Sequence, residues 1–241
     1  MAPNRADLTF ALTEYWAVKG SQRATAIASG STAEGTSLAT RAGKHFQPLV
    51  NLLAGFFLDA GYPDESIGAS GALVTLPGYY RPTKNWDLVV VHEGVLVAAI
   101  ELKALGGPSY GNNYNNRVEE ALGNAVDLSR ARVADLLGHE APWLGYFFVM
   151  EDGDGSSKPG SATRGNTPFP SAPEWSERSY QERFVLTGER LLDEKLYDGV
   201  CYLVSSPSAP GPKEPSRLLD WEHFSAAINA RLTYLAALGY P

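Results

Sequence analysis

Asn85-Trp86-Asp87-Leu88-Val89-Val90-Val91-His92-Glu93-Gly94-Val95-Leu96-Val97-Ala98-Ala99-Ile100-Glu101-Leu102-Lys103 is the stretch on which the fold turns. Its two runs, Trp86 to His92 and Val95 to Lys103, are rich in β-branched residues, and Glu93-Gly94 between them has the composition of a tight hairpin turn. Both runs are almost continuously apolar. That predicts central strands covered on both faces. Residues two apart on a strand share a face, so Glu101 and Lys103 project together. The hairpin makes the start of its first strand a neighbour of the end of its second, which brings Asp87 beside Glu101.

Elements expected on either side complete the architecture. Leu8 to Val18 has apolar residues at helical spacing, and Gly20 to Thr36 reads as a Ser/Ala/Thr/Gly loop. Ser37 to Ala60 carries a broad apolar helical face, with Pro48 marking either its start or a kink, and Gly61-Tyr62-Pro63 stops it. Ala72 to Leu76 is a short candidate strand. After the hairpin come a Gly/Asn/Ser loop (Gly106 to Asn116), a helix from about Arg117 to Leu137 and a strand from Trp143 to Met150. A long polar loop follows, Glu151 to Ser176, and then a helix from Tyr180 to Leu196 and a strand from Gly199 to Ser205. A Pro-rich connection (Ser206 to Ser216) leads to a final helix from Leu218 to Leu238. Helices and strands alternating around an antiparallel hairpin predict an α/β fold: a three-layer α/β/α sandwich with a mixed central sheet. One domain spanning residues 1–241 is expected, since no internal repeat, low-complexity tail or linker interrupts the chain.

Two carboxylates and an ammonium group converging at the mouth of an apolar sheet are costly without a function. Adjacent carboxylates repel, and one is driven towards neutrality unless a cation joins them. Mg²⁺ characteristically takes one or two carboxylates together with waters and phosphate oxygens. On this reading Asp87 and Glu101 are metal ligands, the backbone carbonyl of Leu102 is a further ligand, and Lys103 orients the attacking water and stabilises charge on a phosphate. The same residue types at a strand end also make an ordinary surface ion pair, and an acid followed by [DE]-x-K is common. Their position on the two strongest strands favours a metal-dependent phosphodiester site.

Composition narrows the alternatives. The 241 residues are 44% hydrophobic and 20% charged, as in an ordinary globular protein. No run is long enough to span a bilayer and the N-terminus does not read as a secretory leader, so a cytoplasmic protein with no membrane partner is expected. The single Cys201 suits a reducing compartment and excludes a Cys-rich zinc site, and the four histidines lie far apart. The net charge of −7 weighs mildly against nucleic acid. Local balance is more favourable: Lys19, Arg23, Arg41 and Lys44 face Glu34 alone between Trp16 and Gln47.

The arrangement resembles the PD-(D/E)xK nuclease superfamily, with Asn85-Trp86-Asp87 where the motif has its proline-aspartate. More specifically, three runs are similar to the XhoI-type restriction endonuclease family: Leu76-Pro-Gly-Tyr-Tyr-Arg-Pro-Thr-Lys-Asn-Trp-Asp87, Val97-Ala-Ala-Ile-Glu-Leu-Lys103 and Gly107-Pro-Ser-Tyr-Gly-Asn-Asn-Tyr-Asn-Asn-Arg-Val-Glu-Glu-Ala-Leu-Gly123. Pro142-Trp143-Leu144-Gly145 and Val149-Met150-Glu151-Asp152 also fit. The resemblance implies a restriction-endonuclease-like fold and a homodimeric, Mg²⁺-dependent enzyme. It implies cleavage of double-stranded DNA at the palindrome CTCGAG, leaving 5′-phosphates, with Asp87 and Glu101 as metal ligands and Lys103 as catalytic lysine. A cognate DNA methyltransferase is the expected genetic partner. Relatives of the superfamily often add an acid from the preceding helix. Here that helix offers the neutral Gln47, with Glu34 upstream, so a second metal site looks incomplete. Structure-directed or repair nucleases of the same fold, and a non-catalytic DNA-binding protein built on it, remain alternatives.

Several residues suit contact with DNA. Asn112, Asn113, Asn115 and Asn116 can pair with adenine, although Asn115 or Asn116 can instead cap the helix that follows. Arg117 suits a phosphate or an ion pair with Glu120. Tyr79, Tyr80, Arg81 and Lys84 precede Asp87 and can grip the backbone, or simply pack the loop. Lys158 and Arg164 in the long loop, and Arg41, Lys44 and His45 before the large helix, are further phosphate candidates. A palindrome implies a twofold dimer. The last helix, with Ile228, Leu232 and Leu235, is one option for its interface.

Overall fold

The computed structural model describes residues 2–28, 44–160 and 168–241. Its helices are α1 (Arg5–Ala28), α2 (Gln47–Asp59), α3 (Tyr110–Val133), α4 (Asp154–Ser157), α5 (Tyr180–Asp193) and α6 (Trp221–Ala237). Its strands are β1 (Ile67–Gly68), β2 (Thr75–Pro77), β3 (Thr83–Asn85), β4 (Leu88–His92), β5 (Val95–Leu105), β6 (Trp143–Glu151), β7 (Gly199–Ser206) and β8 (Ala209–Lys213). Six strands form one mixed sheet in the order β1-β4-β5-β6-β7-β8, and β2 and β3 make a separate two-stranded ribbon. Strands β5, β6 and β7 run parallel, while β1, β4 and β8 are antiparallel to their neighbours.

The continuous apolar runs are explained by cover on both faces. Along β6, Phe147 and Val149 pack with α1, α2 and α6 residues such as Leu12, Phe56 and Phe224. Tyr146, Phe148 and Met150 point the other way, against α3 and α5 through Tyr114, Leu128 and Phe184. The result is the expected three-layer sandwich. Trp143 reaches over two register partners, Gly145 and Gly199. A Cβ on either glycine would lie 2.5 or 2.6 Å from its indole, so the ring fits only over bare backbone. The turn joining β4 to β5 has positive φ at both Glu93 (48°) and Gly94 (80°), the geometry that matches strand twist in a two-residue hairpin.

Several boundaries differ from expectation. Helix α1 begins at Arg5 because Asn4 and Asp7 cap it reciprocally: Asn4 Oδ1 accepts the Ala6 N–H at 2.7 Å, and the Asn4 N–H donates to Asp7 Oδ2 at 2.8 Å. It then runs on through residues expected to be loop. Helix α2 begins at Gln47 with Pro48 in its first turn, where a missing N–H costs nothing. Helix α3 starts at Tyr110 with Ser109 at the N-cap position, so the asparagine stretch is helical and neither Asn115 nor Asn116 is a cap. The expected Pro-rich connection contains β8, Ala-Pro-Gly-Pro-Lys, at the edge of the sheet, where proline is tolerated because no further strand needs its N–H. Ala72–Val74 is a 3-10 turn leading into β2. In α6, Ile228, Leu232 and Leu235 are buried in this chain's own core, which removes them as a partner surface.

Candidate active site

The register Leu88↔Ile100, Val89↔Ala99, Val90↔Ala98 carries Asp87 opposite Glu101, one step beyond the last ladder pair. There a side chain takes over from the ladder: the Leu102 N–H donates to Asp87 Oδ2 at 2.8 Å. On the other side of β5, parallel pairing sets Tyr146 beside Glu101 and Phe148 beside Lys103. Glu101 is 3% exposed, while Asp87 and Lys103 are partly open to solvent.

Both oxygens of Glu101 are occupied by ammonium groups. Lys103 Nζ contacts Oε1 and lies 3.9 Å from Asp87 Oδ2. Lys84 Nζ, reaching in from β3, lies 2.6 Å from Oε2 and donates to the Asn85 carbonyl at 3.0 Å. It also sits 4.3 Å from the centre of the Trp86 ring. Its side chain is 10% exposed, and burial lowers its pKa against the opposing pull of Glu101. Burial first, and the charge of Glu101 second, push the Asp87 carboxyl up to about 6 despite Lys103 and the Leu102 N–H.

This donor set fits a hard divalent cation. It offers carboxylate oxygens from adjacent strands, one of them on a group whose ionisation is opposed until positive charge arrives. No cluster of three or more His, Cys, Asp or Glu side chains suited to a metal is found among the described residues. Gln47 is exposed and its amide donates to Asn51 Oδ1 at 2.8 Å. Glu34, Arg41 and Arg164 lie outside the described residues.

The residues expected near DNA separate into distinct places. Lys84 faces inward onto Glu101. Arg81 is tied down: Nε lies 2.7 Å from Asp127 Oδ2 and Nη2 is 2.8 Å from Asn124 Oδ1. Tyr79 and Tyr80 are exposed at the tip of the β2–β3 ribbon, edge to face at 4.9 Å, and both backbone N–H groups donate to Asp127 Oδ1 at 2.8 Å. Burial pushes the Asp127 carboxyl up, but the Tyr80 N–H, the Arg81 guanidinium and the Tyr79 N–H together hold it below the usual range. The ribbon that delivers Lys84 is thereby fastened to α3.

Asn112 and Asn115 line an open cleft of about 760 Å³ between α3 and α5, with Trp175, Tyr180 and Arg183 also on its wall. Asn116 is exposed and Asn113 half-buried. Arg117 pairs with Glu120 at 2.6 Å, one of its two expected uses. Burial pushes the Tyr146 hydroxyl well up, Arg117 opposes the shift, and Glu101, Glu120 and Asp87 add to it. Lys44 is exposed, His45 is buried against Phe46, and Lys158 pairs with Asp154 at 2.6 Å.

Two residues that pack around the candidate site escaped the sequence reading. Tyr146 is fully buried behind Glu101, and its hydroxyl has no hydrogen-bond partner among the described residues. Only the parallel register, which composition does not reveal, places it there. Asp127 had a signal: it lies on the same helical face as Ala121, Asn124 and Leu128, all buried, and an acid on a buried face needs partners.

Comparison with known proteins places the chain among restriction enzymes. The family model for restriction endonuclease XhoI matches residues 25–212. The type II restriction enzyme BstVI of Geobacillus stearothermophilus is 38% identical over 173 residues, 69% of this chain and 76% of that enzyme. The type II restriction enzyme XhoI of Xanthomonas vasicola is 39% identical over 153 residues, 62% of this chain and 60% of that enzyme. The type II restriction enzyme AbrI of Azospirillum brasilense is 50% identical over 88 residues, covering 36% and 40%. No solved structure matches the chain.

Proposed function

The chain belongs to the restriction endonuclease XhoI family and is a type II restriction enzyme, and from that premise we propose that Asp87, Glu101 and Lys103 form its cleavage centre. The observation that carries this reading is the placement of Asp87 opposite Glu101 with Lys103 two residues on, at the end of a buried hairpin. The substrate is double-stranded DNA, cut within the palindrome CTCGAG to leave 5′-phosphates. The enzyme works as a homodimer with one half-site per subunit, and a cognate methyltransferase protects the host sequence.

Asp87, Glu101 and the Leu102 carbonyl would hold Mg²⁺, which supplies Lewis acidity and a water acidic enough to attack phosphorus near neutral pH. The Leu102 N–H keeps Asp87 aligned with the strand that bears Glu101. Lys103 reaches both carboxylates, so its ammonium orients the attacking water and offsets charge developing on the phosphate. Phe148 and the apolar strands behind the site keep water from the rear of the carboxylates. Tyr79 and Tyr80 at the ribbon tip, and Asn112, Asn113, Asn115, Asn116 and Arg117 on α3, supply the surface that meets the duplex.

Plasmid digestion with Mg²⁺, followed by sequencing of the ends, tests this. Discrete fragments ending within CTCGAG are expected. Discrete cuts at another palindrome would overturn the site assignment, smearing would favour a nonspecific nuclease, and no cleavage would favour a non-catalytic DNA-binding protein.

A further inference from the structure

We infer that Lys84 is an internal counter-cation for the metal site: it latches Glu101 Oε2 in the free protein and must release it for the divalent ion to bind, and a DNA phosphate draws it away. The inference rests on the cleavage-centre reading above and adds a coupling between metal and DNA. Lys84 is satisfied as it stands. Its ammonium has Glu101 Oε2 at 2.6 Å, the Asn85 carbonyl at 3.0 Å and the Trp86 ring face at 4.3 Å. Such a nearly buried ammonium is stable only while it keeps an anionic partner.

A cation that coordinates Glu101 through Oε2 competes for the oxygen that Lys84 holds. With Mg²⁺–oxygen distances of about 2.1 Å, the ion and Nζ on one carboxylate oxygen would stand within about 5 Å of each other, two like charges in a site of low solvent access. Lys103 holds the other oxygen, Oε1, and also reaches towards Asp87.

Lys84 differs from Lys103 in its support. Lys103 is part of β5, whereas Lys84 hangs from the β2–β3 ribbon, whose tip exposes Tyr79 and Tyr80. A duplex lying on that tip offers Lys84 a phosphate in exchange for Glu101. Metal and DNA then favour each other's binding through one side chain, and such couplings typically amount to about 5- to 150-fold in affinity.

Mn²⁺ binding to the full-length protein without DNA, read by electron paramagnetic resonance, tests the latch. Lys84→Met keeps the apolar stem on Trp86 and is expected to bind Mn²⁺ about tenfold more tightly than the unaltered protein. Lys84→Gln should do the same, and Lys84→Arg should stay within about threefold of the unaltered protein. A pre-cut CTCGAG duplex bearing 5′-phosphates, which cannot be turned over, should tighten Mn²⁺ binding in the unaltered protein and far less in Lys84→Met. Mg²⁺ should change Trp86 emission in the unaltered protein only, with Trp86→Phe as control. Equal or weaker Mn²⁺ binding in both neutral variants overturns the latch, as does Mn²⁺ binding that survives Glu101→Gln. If the duplex does not bind the unaltered protein, the CTCGAG assignment fails, while the DNA-free comparison still decides the role of Lys84.

Discussion

Asp87 accepts the backbone N–H of Leu102 at 2.8 Å, so the first acid of the proposed centre is bonded to the strand that carries the second. The distance between the carboxylates is therefore set by a ladder position rather than by a loop, and substitutions can test their chemistry without moving their frame.

Glu101→Gln and Lys103→Met should each lower plasmid cleavage by about 10²- to 10⁴-fold while the protein stays folded and binds duplex. Gel-based cleavage rates alongside DNA-binding titrations check this. Normal cleavage by either variant would sink the proposed centre.

The pH dependence follows from Asp87. Its carboxyl is raised from 3.8 to about 6 in the folded chain, so the metal-free fold binds this proton more tightly than the unfolded chain does. The stability this adds is present in full below about pH 4 and lost as pH rises through about 6. Urea unfolding with a chelator should show about 1 kcal/mol of loss across that window, a figure discounted for the third of the side chain that solvent reaches. Asp87→Asn should remove the dependence, and Mg²⁺ at pH 7.5 should restore the stability. Cleavage should rise with pH through the same range.

Asp127→Ala should destabilise the protein by about 2 kcal/mol, because it frees two backbone N–H groups and the Arg81 guanidinium at once. A thermal scan should show the midpoint falling by roughly 4–8 °C. Lys84 should also lose its fixed position, so cleavage should fall further than stability alone explains.

Asn115→Ala and Asn116→Ala distinguish a cap from a helix interior. A lost cap costs about 1 kcal/mol. At these interior positions alanine should instead be neutral or stabilising by up to about 0.5 kcal/mol. Chemical denaturation reads the sign directly.

What could be read from residues alone was what depends on local spacing. The β4–β5 hairpin followed from Glu93-Gly94, and the pairing of Asp87 with Glu101 followed from the hairpin. The layered sheet followed from apolar runs such as Val95 to Ile100. Tertiary context hid the rest. Lys84 and Lys103 look alike as exposed cations in sequence, yet one hangs from a separate ribbon and is nearly buried. The asparagines of α3 have weak helix propensity, and packing of Tyr114, Ala121 and Leu128 against the sheet overrides it. Asp127 holds the ribbon to α3 across a sequence gap that no local pattern spans.

Strand β8 limits how two copies can associate. It closes one side of the six-stranded sheet with Pro210 and Pro212, neither of which has an N–H to give a neighbouring chain. Two copies therefore do not join their sheets into one across this side. In the proposed homodimer, a contact made by side chains on this side would leave each subunit's hairpin and its carboxylates undistorted.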